Sequence, residues 1–340
     1  MNTPILKDTI DQIFANGKGI LAMDESTPTC KKRFEAAGIP QTGEMYRKYR
    51  ELIVTTPGLN ESIGGAILFD ETIRQKTDAG EPMAQVLMDA GIIPGIKVDM
   101  GAKSLAAFPN ELVTEGLDGL RERLKEYKTM GARFAKWRAV ITIGDRIPTD
   151  ACINANVHAL ARYAALCQEA DMVPIVEPEV LMDGDHSMQR CYEVTEKVLK
   201  NLFFQLYQFK IDLEGIILKP NMVIAGKGCP IQNSIDEVAE ATVNCLRSSV
   251  PASVPAIAFL SGGQSPQLAA EHLNAINTNF KDRLPWVVAF SFARAIQQPA
   301  LDAWKGEQSN VEEAQKLLNH HARIAAAARR GEYVLSMESR

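Results

Sequence analysis

No CxxC pair and no HExxH motif occur in these 340 residues, and the five histidines are dispersed. That inventory argues against a protein-built zinc or iron site, and no cofactor is expected. The six cysteines, Cys30, Cys152, Cys167, Cys191, Cys229 and Cys245, have no framework spacing and read as free thiols of a reducing compartment. No apolar stretch approaches the roughly 18 residues of a membrane span. The N-terminus, MNTPILKDTI, has no basic start followed by an apolar segment, so neither a membrane location nor a secretory leader is expected. With a net charge of −5 and scattered basic residues, the chain offers no cationic stripe for nucleic acid. Cytoplasm is the expected location, and a mature plastid protein would look similar.

At 46% hydrophobic, the chain has ample material for a core. Short apolar runs bounded by turn residues recur at 19–24, 65–70, 95–99, 134–140, 173–179, 215–220, 256–263 and 286–292. Between them lie polar-striped segments with helical spacing, such as DGLRERLKEYKTMG, NVHALARYAALCQEAD and IDEVAEATVNCLRSSV. Eight alternations of strand and amphipathic helix predict a closed (β/α)8 TIM barrel of parallel strands. An open doubly wound sheet is the alternative, but no GxGxxG follows the first strand. The expected plan is a single barrel domain over 1–333, with an N-terminal helix and a short C-terminal tail at 334–340. A long helix is expected from Asn310 to Arg330, ending at Gly331.

Sites on such barrels lie at the C-terminal strand ends. Here those ends are unusually polar. They carry Asp24 with Glu25 and Ser26, then Lys97 and Asp99, then Lys136 and Arg138 flanking Trp137. Glu177 and Glu179 follow, then Lys219, then Ser261 with Gly262 and Gly263, and finally Ser291 and Arg294. Alternation puts Lys136 and Arg138 on one side of their strand, and Glu177 and Glu179 on one side of theirs. Lys219 closes an apolar run, GIILKP, where an unpaired ammonium is costly to bury. Taken alone, it could be a salt-bridged strand end or a nucleophilic amine. The paired glutamates could be barrel-mouth ion pairs or acid/base groups. Lysines from three strands and acids from two others are hard to explain as packing, and repulsion among the lysines is expected to lower the pKa of at least one of them.

Phosphate signals stand apart from this cluster. The loops after strands seven and eight, LSGGQS and FSFARA, sit where this fold commonly binds phosphate, with Arg294 available for a charge-assisted contact. Lys31, Lys32 and Arg33 after the first strand read either as a solvated helix face or as a second phosphate site. A substrate with a phosphate at each end would then place its middle near Lys219.

The motifs LAMDES, GIKVD, FAKWR, IVEPE, LEGIILKPNM, FLSGGQS and LNAIN, in order from about Lys18 to Tyr333, closely resemble those of class I (Schiff-base) fructose-1,6-bisphosphate aldolases. The resemblance implies reversible, metal-independent cleavage of fructose 1,6-bisphosphate to dihydroxyacetone phosphate and glyceraldehyde 3-phosphate, in glycolysis and gluconeogenesis. It implies Lys219 as the imine-forming lysine and Glu177 as the acid/base of carbinolamine formation and dehydration. Asp24 would take the C4-hydroxyl proton, Lys136 would set the charge of these acids, and Lys97 and Glu179 would belong to the same network. Ser261, Gly262, Gly263, Ser291 and Arg294 would hold the phosphate beside the ketone. Ser26, Thr29, Lys32 and Arg33 would hold the other, and Arg138 would touch substrate. A homotetramer is implied as well. The alternatives are a sedoheptulose 1,7-bisphosphate-preferring aldolase and a catalytically reduced scaffold. Two departures stand out. Phe292 and Ala293 replace a common tyrosine and glycine, and the added methyl is expected to shift or weaken the phosphate site. Arg340 stands where relatives extend to a terminal tyrosine that protonates the enamine, so another group or water is expected to do this. Deleting residues 334–340 should then leave the cleavage rate largely intact in a coupled assay, and a large fall would overturn that expectation.

Overall fold

The computed structural model describes residues 3–339. Ten strands occur among them: β1 (Gly19–Ala22), β2 (Ile63–Leu68), β3 (Ile93–Lys97), β4 (Ala102–Ser104), β5 (Leu112–Thr114), β6 (Phe134–Ile141), β7 (Val173–Val180), β8 (Ile217–Leu218), β9 (Ala256–Phe259) and β10 (Val287–Phe292). Eight of them close into a parallel barrel in the order β1-β10-β9-β8-β7-β6-β3-β2. All eight expected strands are present, and β1 meets β10 through Ile20 opposite Ser291. The expected Asn310–Arg330 helix runs from Val311 to Arg330 and ends on Gly331, whose φ of 72° suits a residue without a side chain.

Several boundaries differ, each for a local reason. The sixth run keeps only Ile217–Leu218 as strand. Leu213–Gly215 forms a 3-10 turn, and Pro220 has no N–H to give a ladder. The seventh run stops at Phe259, because Gly262 and Gly263 turn the chain with φ of 59° and 87°. The run at 65–70 begins earlier, at Ile63, and gives up Phe69 and Asp70, the N-cap and first residue of a short helix. An antiparallel hairpin, β4 with β5, was not foreseen. It is short and half-exposed, and its register pairs Lys103 with Val113.

The barrel interior has two tiers. The lower tier is apolar and includes Ile20, Ile67, Phe134, Ile175, Ile217, Ala258 and Ala289. The N-terminal helix Thr3–Phe14 closes the bottom, burying Leu6, Ile10, Ile13 and Phe14 in the same cluster. A larger cluster fills the space between strands and helices and includes Trp137, which packs against Tyr163 at 5.6 Å. Two residues up from the lower tier, the same strand faces become charged: Phe134 is followed by Lys136, Ile175 by Glu177, Ile217 by Lys219 and Ala22 by Asp24.

Close approach of the plug requires glycine. A methyl at Gly64 would lie 2.0 Å from the Ile13 carbonyl oxygen, a backbone atom that cannot rotate away. Gly64→Ala is therefore expected to destabilise the fold by about 1–3 kcal/mol or more through overpacking, seen as a lower urea midpoint. Gly43→Ala, with nothing within 4 Å of the new methyl, should stay near wild type; equal midpoints for the two variants would refute the plug as a packing constraint.

Candidate active site

A cleft of about 480 Å³ opens at the C-terminal end of the barrel. Its wall includes Asp24, Lys97, Lys136, Arg138, Glu177, Glu179 and Lys219, together with Ser26, Thr29, Lys32, Arg33, Ser261, Gly262, Ser291 and Arg294. The residues expected at the site from sequence are thus in the wall except Gly263, which follows Gly262 in the same turn, and Lys31, which is exposed outside the cleft on the helix that carries Lys32 and Arg33.

At the base of the cleft four charged groups alternate in sign. Lys136 Nζ donates to Asp24 Oδ2 at 2.9 Å and lies 3.1 Å from Glu177 Oε2. The other Glu177 oxygen lies 3.2 Å from Lys219 Nζ. All four side chains are at most 10% exposed. Their positions follow from strand geometry. Lys136 on β6 faces Ile175 of β7 in register, Arg138 faces Glu177, and the Lys219 N–H donates to the Val176 carbonyl at 2.8 Å. Asn221 fixes the turn beyond Lys219 by accepting from the Val180 N–H at 3.0 Å and donating to Thr195 Oγ1 at 3.1 Å.

Burial alone would raise the Asp24 pKa, but Lys136, Lys219 and Lys97 overcome it and hold the carboxyl well below the ordinary range. Glu177 is treated the same way: desolvation pushes it up, and Lys136, Lys219 and Arg138 bring it down. For Lys136, desolvation would lower the pKa, and the pull of Asp24 and Glu177 wins, raising it above the ordinary lysine value. The lowering by lysine repulsion that the sequence predicts for at least one amine is not found at Lys136, because Asp24 and Glu177 both lie beside its ammonium. Glu177 Oε2 accepts no aligned hydrogen bond among the described residues, and the buried Ser291 hydroxyl has no partner there either.

A second layer supports this row. Lys97 lies 3.4 Å from Asp99, and Asp99 also accepts from the Arg138 N–H at 3.2 Å. The Arg138 guanidinium pairs with Glu179. Thr114 of the unforeseen hairpin donates to the Arg138 carbonyl at 2.7 Å, pinning β6 at the rim, and Gly101 and Ala102 join the wall. Hairpins this short and polar leave no periodicity to read.

The two ends of the cleft where sequence predicts phosphate sites differ in kind. After β9, Gly262 and Gly263 have consecutive left-handed φ and form a tight turn closed by the Gln264 N–H donating to the Ser261 carbonyl at 3.0 Å. Ala293 opens the helix Arg294–Trp304 with φ of −108°, which any L-residue adopts. Across the cleft, Ser26 precedes the helix Thr27–Ala36, and its hydroxyl lies 3.2 Å from that of Thr29. Arg33 is in the wall, but its guanidinium is engaged with Glu25, which also takes Arg50 at 2.8 Å and the Gln297 amide at 3.0 Å. Arg33 is therefore anchored, whereas Lys32 has no ion pair among the described residues. Glu25 and Arg50 were missed as organisers of this end: neighbouring charges in sequence do not reveal which of them is buried. Tyr333 does not line the cleft; its hydroxyl donates to Glu338 at 3.1 Å. Among the described residues, no three His, Cys, Asp or Glu side chains are grouped to hold a metal ion.

Comparison with known proteins agrees with this geometry. The family model for class-I fructose-bisphosphate aldolase matches residues 5–340. A Xanthomonas campestris pv. campestris protein named "Probable fructose-bisphosphate aldolase class 1" is 56% identical over 98% of this chain and 99% of its own length. Fructose-bisphosphate aldolase C of Carassius auratus is 47% identical, covering 97% of this chain and 91% of that one. Among solved structures, fructose-bisphosphate aldolase from Plasmodium falciparum, in complex with TRAP and a small-molecule inhibitor, superposes with a TM-score of 0.95 at 46% identity, over 98% of this chain and 96% of that one.

Removing Lys136 should expose the energetics of the row. Lys136→Met leaves buried carboxylates undercompensated and is expected to cost about 3–5 kcal/mol at neutral pH. The depressed Asp24 carboxyl contributes stability that is fully present above its unfolded pKa of about 4 and is lost as pH falls below it. In the variant that carboxyl is held less firmly in its charged form, so acid relieves it. The gap between wild type and variant, read by urea unfolding, should therefore be widest near pH 7 and narrow toward pH 4. A pH-independent gap would refute the account.

Proposed function

The chain belongs to the class-I fructose-bisphosphate aldolase family, and on that premise we propose that Lys219 is the amine that forms the imine and that Glu177, Asp24 and Lys136 carry the proton transfers around it. The protein is a lyase that reversibly cleaves fructose 1,6-bisphosphate to dihydroxyacetone phosphate and glyceraldehyde 3-phosphate in glycolysis and gluconeogenesis. The observation that carries the assignment of roles is the row Asp24, Lys136, Glu177, Lys219, with successive contacts of 2.9, 3.1 and 3.2 Å.

An ammonium cannot attack a carbonyl. Glu177, 3.2 Å from Lys219, accepts the proton that frees the amine's lone pair. The amine adds to the C2 ketone to give a carbinolamine. Glu177 returns a proton to the departing hydroxyl, water leaves, and a protonated imine remains. Asp24 then removes the C4-hydroxyl proton. The C3–C4 bond breaks, its electron pair moves into the imine to give an enamine, and glyceraldehyde 3-phosphate departs. Protonation at C3 and hydrolysis release dihydroxyacetone phosphate and restore Lys219. Lys136 keeps Asp24 ionised and therefore able to act as base. Lys97, Glu179 and Arg138 hold this row in place and meet the sugar hydroxyls. Ser261, Gly262, Gly263, Ser291 and Arg294 take the phosphate beside the ketone, and Ser26, Thr29, Lys32 and Arg33 take the other.

The same reading takes the protein as a cytoplasmic homotetramer whose folded unit is 1–333, with 334–340 as a tail. No helix among the described residues is long and apolar enough to cross a membrane. Phe204 and Tyr207, 56% and 80% exposed on the helix Met188–Gln208, offer apolar surface for self-association.

Imine trapping tests the nucleophile. Protein incubated with dihydroxyacetone phosphate and chelator, then reduced with borohydride, should carry a substrate-dependent adduct on the peptide containing Lys219. An adduct on another lysine would overturn the assignment. Glu177→Gln should lose about 10²–10⁴-fold in turnover, the usual worth of one general acid/base, when assayed below its own urea midpoint, which should be lowered because Lys136 and Lys219 lose a buried counter-charge.

A further inference from the structure

One cation near the cleft has no role so far. Residues 182–186, beyond β7, and 226–228, beyond Lys219, are joined by three backbone hydrogen bonds of 2.8 Å: Lys227 N–H to Met182 O, Gly228 N–H to Gly184 O and Gly226 N–H to His186 O. A methyl at Gly226 would lie 2.5 Å from the Gly184 oxygen, so the two loops meet backbone to backbone. This fixes the Lys227 backbone while its side chain remains exposed.

The Lys227 ammonium pairs with Asp183 at 3.1 Å, and both groups are largely solvated, at 47% and 66% exposed. The same ammonium reaches the glycine turn. A methyl at Gly263 would lie 3.0 Å from Lys227 Nζ and 2.9 Å from Arg294 Nη2. Two cations from different loops thus converge on the second glycine of the turn that follows β9. Arg294 makes no hydrogen bond or ion pair among the described residues. Two like charges drawn to one point repel unless an anion sits with them, and among the described residues Asp183 is the carboxylate engaged there, by way of Lys227. A phosphate monoester near its dianionic form is matched by two positive groups better than by one.

The turn itself is held firmly. The Gln264 N–H donates to the Ser261 carbonyl at 3.0 Å, and the Gln264 side-chain oxygen lies 2.6 Å from Nδ1 of the buried His272. The moving part is therefore a side chain and not the loop.

Resting on the reading of the ketone-side phosphate site given above, we propose that Lys227 is a specificity-determining residue of that site: it pairs with Asp183 in the free enzyme and turns its ammonium to the phosphate held by Gly262, Gly263 and Arg294 when substrate binds. A lysine suits this exchange, because its ammonium is a compact charge on a flexible stem and needs no fixed approach direction.

The test uses the full chain and two substrates, fructose 1,6-bisphosphate and fructose 1-phosphate, the second carrying only the phosphate beside the ketone. Lys227→Met should raise KM about tenfold for both, the worth of one charge-assisted hydrogen bond. It should leave kcat within about twofold, as expected when uniform binding is lost. Lys227→Arg should recover most of the affinity, which a purely structural role would not predict. A KM for fructose 1-phosphate unchanged by Lys227→Met overturns the proposal, as does a rise confined to the bisphosphate, which would assign Lys227 to the far phosphate. Arg294→Ala separates the two levels of inference. If it raises KM for fructose 1-phosphate while Lys227→Met does not, the site stands and the role of Lys227 fails. If neither variant changes it, the assignment of the phosphate site fails with it.

Discussion

The contact on which the rest of the structure depends is that of Lys136 with two carboxylates at once. A buried ammonium is costly, and so is each buried carboxylate. In the sequence of signs acid, amine, acid, amine, every charge except the outermost has opposite neighbours, so desolvation is offset along the row. Such a row tolerates little displacement, which explains the rigidity below it. The apolar tier of the barrel, the N-terminal helix beneath it and the glycines that admit that helix all hold β6, β7 and β8 in a fixed register. Chemistry and packing are here alternate residues on one face of the same strands, as Phe134 and Lys136 show.

Much of this was legible in the chain. Short apolar runs bounded by turn residues gave the eight barrel strands, and polar residues at their ends gave the wall of one cleft. That works because a parallel barrel makes strand order and site location consequences of each other. What was not legible is partner choice. Nothing in the sequence says that Lys136 bonds Asp24, more than a hundred positions away, or that Arg33 is engaged with Glu25 while its neighbour Lys32 has no ion pair among the described residues. The hairpin of β4 and β5 was invisible because three-residue strands carry no periodicity. That Lys136 is shifted up was not legible either, because sequence supplies the number of like charges and not the carboxylates placed beside each of them.

In the role proposed for Lys219, one environment serves structure and reactivity together. As a strand-end lysine it is neutralised by Glu177, which makes its burial affordable. The same carboxylate, at 3.2 Å, is in reach to take the proton whose loss makes the amine a nucleophile. The salt-bridge and nucleophile readings of a buried lysine are therefore two states of one contact, separated by a single proton.

The pairing of β1 with β10 has a consequence for how the molecule is made. Ile20 leaves the ribosome early, but its partner Ser291 emerges only after most of the chain has been translated. Until then the first strand keeps one edge unsatisfied, and Asp24 waits for neighbours synthesised one after another from Lys136 to Arg294. Such a nascent chain exposes apolar surface for most of its synthesis and is a natural client for chaperones. No truncated product can hold a complete cleft, so a polypeptide interrupted anywhere before the last barrel strand is inert as well as incomplete.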